Sequence, residues 1–498
     1  MEGNCIRVGL CTYRTVVLPD CETISSHTAS LLRAFVRNGG RLYIYGNAPT
    51  RVDGEKAELS FLRSNLTAQE LRDSCGILVQ REGRDVPLHM HVRCTRAGRM
   101  IFLANTSAEG YDNVTVNVKN ARGFSCLHPG DLTLHPVRGR REKDGSVTVL
   151  YDFGDSVSCL LVETGAEMEP FVKTAEPAYI RLQEPFVPTA LPENMLLLDT
   201  ASISLDGGAF TEERPIARIR DELLSARFCG QVTLRFRFRT EFVSKSLLLS
   251  VEPMKGLAVF VNGDPAALCP GYRLDCRNLL ADLGSHVRTG ENEVLLSFPY
   301  FQREHVYRVL FGAGTESLRN CLSFDTEVEP VYLFGDFDVR SLTPFRDDVR
   351  NTLRTDGGFV LTPRDPRPDF RDLVRSGYPF FAGEITGRST LHYRPGDPTC
   401  FRPGGRFAVC RLQVNGKTLP TDLFAESFEL APYLREGENE LVLTLCLSNR
   451  NLMGPHHRRD PEPPTVGPRT MTFEKQWRDG QCPEYQPSYA FVRLGIGF

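Results

Sequence analysis

This sequence has little tryptophan, no closely paired cysteines, no long apolar run and almost no net charge. Each shortage removes a class of protein. The 15 cysteines scatter from Cys5 to Cys482 with no Cys-x-x-Cys pair. A disulfide scaffold or a structural zinc site needs closer, patterned spacing, so free thiols in a reducing compartment are expected, with no metal and no cofactor. No apolar stretch approaches the ~20 residues that cross a bilayer, and no membrane partner is expected. Met1-Glu2-Gly3-Asn4-Cys5 lacks the basic and apolar regions of a signal peptide, which points to a cytoplasmic location. Lys plus Arg number 59 against 62 for Asp plus Glu, leaving a net charge of −3 and no electrostatic reason to propose nucleic acid. Gly39-Gly40 reads as a helix stop, not as a phosphate-binding loop.

What the chain does have is a phrase said twice. Val261-Asn262-Gly263 precedes Gly290-Glu291-Asn292-Glu293-Val294-Leu295-Leu296, and Val414-Asn415-Gly416 precedes Gly437-Glu438-Asn439-Glu440-Leu441-Val442-Leu443. Asn-Gly after an alternating apolar run marks a tight hairpin, because both turn residues must accept positive φ. Gly-Glu-Asn-Glu before alternating aliphatics opens a further strand. Two copies of one β-module are therefore expected in the C-terminal two-thirds.

At 498 residues the chain exceeds the usual domain of roughly 100 to 150 residues several-fold. Its beginning reads as a βαβ unit. Thr15-Val16-Val17-Leu18 is a strand, Ser25 or Ser26 caps a helix whose Leu31, Leu32, Phe35 and Val36 share a stripe, and Arg41-Leu42-Tyr43-Ile44 returns parallel to the first strand. From about 86 to 163 come short strands near 89–93, 100–105, 114–118, 146–151 and 157–162, which suit a small antiparallel β-domain. A proline-rich linker or strap follows, with Pro170, Pro177, Pro185, Pro188 and Pro192. Strands near 231–240, 246–252, 257–261, 293–298 and 331–334 build the first repeated module. In Val232-Thr233-Leu234-Arg235-Phe236-Arg237-Phe238 every second side chain is apolar, so one face is buried and the other wet. Residues 345–353 are expected to form a short helix. The proline-rich tail from 449 to 487 is irregular before Tyr489-Ala490-Phe491-Val492 closes the chain as a strand. The fold class expected is mainly β with an N-terminal α/β domain, a small antiparallel β-domain and two β-sandwich modules.

These stretches also carry a resemblance. The duplicated module resembles the galactose-binding-like jelly roll that accompanies the barrels of glycoside hydrolases. Val16-Val17-Leu18-Pro19 with the helix through Gly40 resembles the amidotransferase-like domain that follows the barrel in several of them. Met100-Ile101-Phe102-Leu103-Ala104-Asn105-Thr106-Ser107 looks like a strand of the small β-domain after it. Ser204-Leu205-Asp206-Gly207-Gly208 and Tyr378-Pro379-Phe380-Phe381-Ala382-Gly383-Glu384 resemble parts of the two sandwiches, and Leu452-Met453-Gly454-Pro455-His456-His457 looks like a motif of the last domain of rhamnosidase-like and family-two-like enzymes. The resemblance implies four domains: 1–83 amidotransferase-like, 84–165 antiparallel β, 166–342 and 343–498 jelly rolls, the last with a long irregular tail. Such enzymes place their catalytic carboxylates on a (β/α)8 barrel of roughly 250 residues. One or two βα units, all before residue 85, do not make one.

The candidate carbohydrate-binding residues are Glu384, Tyr378, Asn449, Asn451, His456, His457 and Trp477. Glycoside hydrolysis uses two carboxyl groups about 5 Å or about 6.5 to 9.5 Å apart. Glu384, after three aromatic residues, is the most exposed to that reading, and an ion pair with an arginine at the sheet edge is the plainer one. His456 and His457 with Arg458 and Arg459 form the densest polar cluster, able to meet sugar hydroxyls or to be a solvated basic loop. Asn449 and Asn451 offer hydrogen bonds to hydroxyls, Tyr378 an aromatic face, and Trp477 either a sugar platform or a staple for the tail. Tyr300 and Phe301 are further aromatics at a strand end. Asn262 and Asn415 read as turn residues. Cys21 lies between strand and helix as an amidotransferase nucleophile does, but Asp20 and Glu22 flank it where a nucleophile elbow has glycines, so a structural cysteine is expected.

Catalytic residues stay unassigned, and three functions are expected in order. The first is an accessory portion of a glycoside hydrolase, shaping or capping a glycan-binding cleft, with a glycan or glycoside as ligand and a catalytic barrel domain or subunit as partner. The second is a self-sufficient glycoside hydrolase with an interdomain site. The third is a structural protein that forms a homo-oligomer.

Overall fold

The computed structural model describes residues 3–107, 109–128, 132–153, 157–172, 178–182, 185–244, 246–312, 314–420, 427–463, 467, 470–471, 477 and 481–497. The chain is mostly β and divides into two compact units, Met1–Glu176 and Pro177–Phe498.

The first unit opens with the βαβ element. Thr15–Leu18 pairs parallel with Arg41–Ile44, and the crossover helix Ser26–Arg37 turns Ala29, Leu32 and Phe35 inward. The Ser25 hydroxyl accepts from the Thr28 amide at 3.1 Å and caps the helix. Gly39, at φ +79°, closes its C-terminus in the left-handed conformation. Asn65 clamps the returning strand, accepting from the Leu42 amide and donating to the Gly40 carbonyl. Two five-stranded antiparallel sheets then face each other over a core that includes Ile101, Leu103, Val114, Val116, Phe124, Val149 and Leu161. One strand of this sandwich, Ile77–Arg81, precedes residue 83 and pairs with Tyr111–Val118, so the sandwich begins before position 84. Glu163, 7% exposed, staples the first unit: it accepts from the Arg99 guanidinium and amide and from the Arg122 amide. Burial resists its ionisation, but these donors outweigh burial and hold the carboxyl at about 2.

The second unit holds both repeats. In the first, Gly230–Thr240 and Gly290–Tyr300 run antiparallel over their full 11 residues, Thr240 opposite Gly290. In the second, Gly383–Tyr393 and Gly437–Leu447 do the same, Tyr393 opposite Gly437. Alternation decides what is buried: Val232, Leu234, Phe236 and Phe238 with Val294, Leu296 and Phe298 fill one core, and Leu441, Leu443 and Leu445 fill the other. A second five-stranded sheet, centred on Leu247–Val251 and Val331–Gly335, covers the first module.

The repeated phrase is a repeated hydrogen-bond lattice. Asn262 takes φ 52° and Gly263 φ 94°, as a hairpin turn of the primed kind requires, and Asn415 and Gly416 adopt 52° and 76°. Asn262 Nδ2 donates to the His286 carbonyl and to Asn292 Oδ1, both at 2.8 Å, while its Oδ1 accepts from the Glu293 amide. Asn292 accepts in addition from the Arg288 amide and donates to the Arg288 and Gly290 carbonyls. Asn415 repeats this with Tyr433, Asn439 and Glu440, and Asn439 repeats it with Arg435 and Gly437. Asn292 is 2% and Asn439 0% exposed, so the lattice satisfies backbone that would otherwise be buried without partners.

Two segments depart from the sequence reading. Residues 345–353 form a hairpin in place of the expected helix: Arg346–Asp348 pairs with Thr352–Thr355, and Arg350 and Asn351 turn at φ 54° and 57°, which no helix accommodates. The proline-rich strap reaches the second sandwich: Val187–Ala190 pairs with Gly383–Tyr393, and the Ile180 amide donates to the Cys400 carbonyl. The closing strand Tyr489–Val492 pairs with Thr352–Thr355.

Candidate functional site

A buried polar cluster that includes expected site residues lies in the second unit, where the loop after Gly437–Leu447 meets the start of the first module. Strand Asn194–Leu198 ends at Asp199, and the Asp199 carbonyl accepts from the Ile216 amide at the head of helix Ile216–Ser225. The short helix Arg450–Met453 and a cis Gly454–Pro455 bond deliver His456 and His457. The two histidines are 4% and 8% exposed, not in a solvated loop.

His457 bridges two parts of the chain 258 positions apart. Its Nε2 donates to Asp199 Oδ2 at 2.9 Å. Its Nδ1 faces only the Gln486 and Ser488 carbonyls, at 2.9 and 3.2 Å. Both ring nitrogens of His457 therefore face oxygen atoms, the Asp199 carboxylate on one side and backbone carbonyls on the other. Tyr489 donates its hydroxyl to Asp199 Oδ1 at 2.6 Å. Burial opposes ionisation of Asp199, but the charge and hydrogen bond of His457 and the Tyr489 hydroxyl outweigh it and hold the carboxyl below its usual range. Burial and the adjacent Asp199 charge raise the Tyr489 phenol far above its usual range, so it stays a donor. The ring of Tyr485 stacks on His457 with centroids 4.9 Å apart.

His456 differs. Its Nδ1 lies 3.3 Å from the Ala490 carbonyl, which assigns the hydrogen to that nitrogen, and burial pushes the ring down to about 4, so it is neutral at pH 7. Its Nε2 is buried and has no hydrogen-bond partner among the described residues. Phe380, Tyr489 and Phe491 surround the ring. A cavity of about 90 Å³ adjoins both histidines and Asp199, walled by Leu197, Ile216, Ala217, Pro330 and Met453 among others.

The other expected residues are dispersed. Glu384 lies on the outer face of the second sandwich and pairs with Arg411 at 2.5 Å, both side chains about half exposed. Tyr378 is 1% exposed in the second core, its ring edge-on to Phe381, out of a surface ligand's reach. Asn451 is fully buried and mimics a strand neighbour, donating to the Val492 carbonyl and accepting from its amide. Asn449 is exposed at the N-terminus of the Arg450–Met453 helix. Trp477 packs on Tyr485 with centroids 5.1 Å apart, and residues 472–476 before it lie outside the described residues. Tyr300 is core and Phe301 is 39% exposed. Cys21 packs partly buried against the core of the βαβ element. The residue that sequence reasoning missed is Asp199; its one signal is an acidic residue ending the apolar run Met195-Leu196-Leu197-Leu198. No group of three metal-ligating side chains occurs among the described residues.

No protein-family model matches the chain, and no curated protein matches it. Its structural neighbours are glycoside hydrolases, at low similarity. A rhamnosidase from Novosphingobium sp. PP1Y has 16% identity and a TM-score of 0.26 over 67% of this chain and 34% of that one. A β-D-mannosidase from Dictyoglomus thermophilum has 12% identity and a TM-score of 0.21, covering 51% and 31%. A β-glucuronidase from Ruminococcus gnavus has 12% identity and a TM-score of 0.21, covering 51% and 40%. The chain thus spans about a third of the length of the rhamnosidase and the mannosidase.

Proposed function

We propose that this chain is a carbohydrate-associated accessory portion of a glycoside hydrolase, whose sandwiches shape or cap a glycan-binding cleft while the catalytic carboxylates come from another segment or subunit. In this reading its modules are the βαβ start, the antiparallel β-domain that takes in strand Ile77–Arg81, and the sandwiches at 166–342 and 343–498, and His456 and His457 stand nearest the ligand. The observation that carries it is a β-sandwich framework duplicated in register, with a cavity-forming loop added after the long strand of the second copy. The chemistry of the cluster supports a binding role over a catalytic one. Asp199 is already saturated by His457 and Tyr489, and His457 has no free nitrogen to take a proton. Parallel strand pairs among the described residues are confined to 15–18 with 41–44, 23–24 with 51–52, and 239–240 with 360–361.

The test is the purified chain on a glycan array and on a panel of aryl-glycosides. Glycan binding without turnover is the expected result. Aryl-glycoside hydrolysis abolished by Glu384→Gln would replace this reading with a self-sufficient hydrolase. A stable dimer or trimer that binds no glycan would leave a structural role.

A further inference from the structure

The two sandwich cores meet at Asp338. It opens strand Asp338–Ser341 between Phe337 and Val339 of the first core, and Tyr378 beside it belongs to the second. Gly377 brings them together: it takes φ 93°, and a β-carbon there would stand 2.7 Å from Asp338 Cγ, so only glycine lets the connection pass the carboxyl. The Gly377 carbonyl accepts from the Val339 amide and from Asn194 Nδ2, which fixes the crossing.

Asp338 is 6% exposed and poorly provided with donors. Its Oδ2 accepts from the Asp365 amide at 2.7 Å, while Oδ1 is buried with no hydrogen-bond partner among the described residues. The Tyr378 hydroxyl is buried without a partner in the same way, and burial followed by the Asp338 charge pushes its phenol up to about 12. Arg364 is the nearby cation, but its guanidinium is spent on the carbonyls of Leu191, Pro192 and Gly335 and on Asp336. Other charges on the packed elements are engaged as well: Arg340 by Glu241, Glu193 by Arg273, and Asp365 by the Arg367 amide. The paired strand Phe359–Thr362 carries none. A carboxylate here buries its charge with one oxygen unmet, whereas the protonated acid has no charge to bury. Burial therefore outweighs the Asp365 amide and Arg364, and pushes the carboxyl up to about 6. An asparagine would accept the same amide with no charge at any pH, so the geometry of the crossing does not call for an acid.

We propose that Asp338 is a proton switch on the seam between the two sandwiches, which is tighter with the carboxyl protonated and looser with it ionised. The sign follows from linkage. A carboxyl whose folded value lies above the unfolded one, near ~3.9, stabilises fully below that unfolded value and loses the contribution as pH rises through about 6. This is the reverse of Asp199, whose partners favour its charge. The switch acts on the packing of one sandwich against the other and stands whether or not a glycan binds.

The test is hydrogen exchange read by mass spectrometry on the full chain and on Asp338→Asn, at intervals from about pH 5 to about pH 8, expressed as protection factors so that the intrinsic pH dependence of exchange divides out. In the unaltered chain, Asp338–Ser341 and residues 377–382 should be about tenfold better protected at the acid end, with a midpoint near ~6. Asp338→Asn should remove that difference. Gly290–Tyr300, inside the first module, should keep one profile in both proteins. A flat profile for the seam in the unaltered chain overturns the switch whether or not the variant folds. A rise that survives in Asp338→Asn overturns it too, and so does an equal, Asp338-dependent rise in Gly290–Tyr300, which would report global stability and not the seam.

Discussion

The two repeats share a framework and differ in the segment that leaves it. Asn262 with Asn292, and Asn415 with Asn439, make the same bonds to the same relative positions. After Tyr300 the first copy runs into helix Glu304–Phe311, tied by Gln302 to the Thr326 carbonyl and the Asp325 amide. After Leu447 the second copy runs into Arg450–Met453 and the histidines. Asparagine at these places is thus selected by backbone geometry, whereas the chemistry sits one step beyond the strand. A side chain that satisfies buried amides and carbonyls at a turn has almost no freedom to change. The segment leaving the strand has no such duty.

The strongest way to break the comparison is to delete the lattice in each copy. Asn292→Ala and Asn439→Ala each remove four side-chain hydrogen bonds at a buried site. Each should cost roughly 4 kcal/mol of local stability, because buried donors and acceptors lose their partners. Hydrogen exchange resolved by mass spectrometry should show Gly290–Tyr300 deprotected by the first and Gly437–Leu447 by the second. Costs that differ by more than about 2 kcal/mol would mean that the two lattices are alike in geometry and not in weight.

Asp199→Asn tests the part that only the second copy reaches. It leaves buried His457 facing a neutral amide in place of the carboxylate, and breaking a buried pair in this way costs about 3 kcal/mol. Exchange should rise in Tyr489–Val492, while the Asn262 lattice keeps its protection. The pH dependence has a definite sign. Asp199 has a folded pKa below its unfolded one, so its contribution is complete above the unfolded value near ~3.9 and fades as pH falls through the lower, folded value. A cluster that gained protection on acidification would contradict the assigned charges.

In the first unit Glu163, which no repeat contains, obeys the same linkage. Held at about 2 by Arg99 and Arg122, it stabilises fully above the unfolded glutamate value near ~4.3 and loses that contribution between there and about 2. Glu163→Gln should therefore cost about 3 kcal/mol at pH 7 and little at pH 2, as read from exchange in Arg99–Ala104 and Ser158–Glu163.

How far the sequence reveals this depends on the range of the interaction. Alternation in 232–238 and the Asn-Gly pairs reveal strands, turns and the duplication, because those signals are written within a few residues. The βαβ start is legible for the same reason. The 345–353 hairpin is not, since its turn pairs Arg350 with Asn351 and lacks the glycine that follows Asn262 and Asn415, and its second strand is held by Tyr489–Val492 from the far end of the chain. Asp199 is hidden more completely. Nothing local to an aspartate after Leu198 announces a histidine 258 positions away. Tyr378 and Asn451 carry the opposite error: their side chains suit a ligand, and packing with Phe381 and pairing with Val492 occupy them.

Glu384 supplies the smallest and sharpest contrast with Asp199. Both carboxylates pair with a basic side chain, Glu384 with Arg411 at 2.5 Å and Asp199 with His457 at 2.9 Å. The surroundings reverse their weights. With both partners about half exposed, the Glu384 pair is screened by water and worth at most about 1 kcal/mol, so Glu384→Gln should shift urea unfolding by less than that. Sugar binding should be unchanged, since Glu384 is on the outer sheet face and does not line the cavity beside His456. If the substitution cost as much as Asp199→Asn, or abolished a glycosidase activity of the purified chain, burial would not be what separates the two carboxylates, and the outer face of the second sandwich would become the place to look for chemistry.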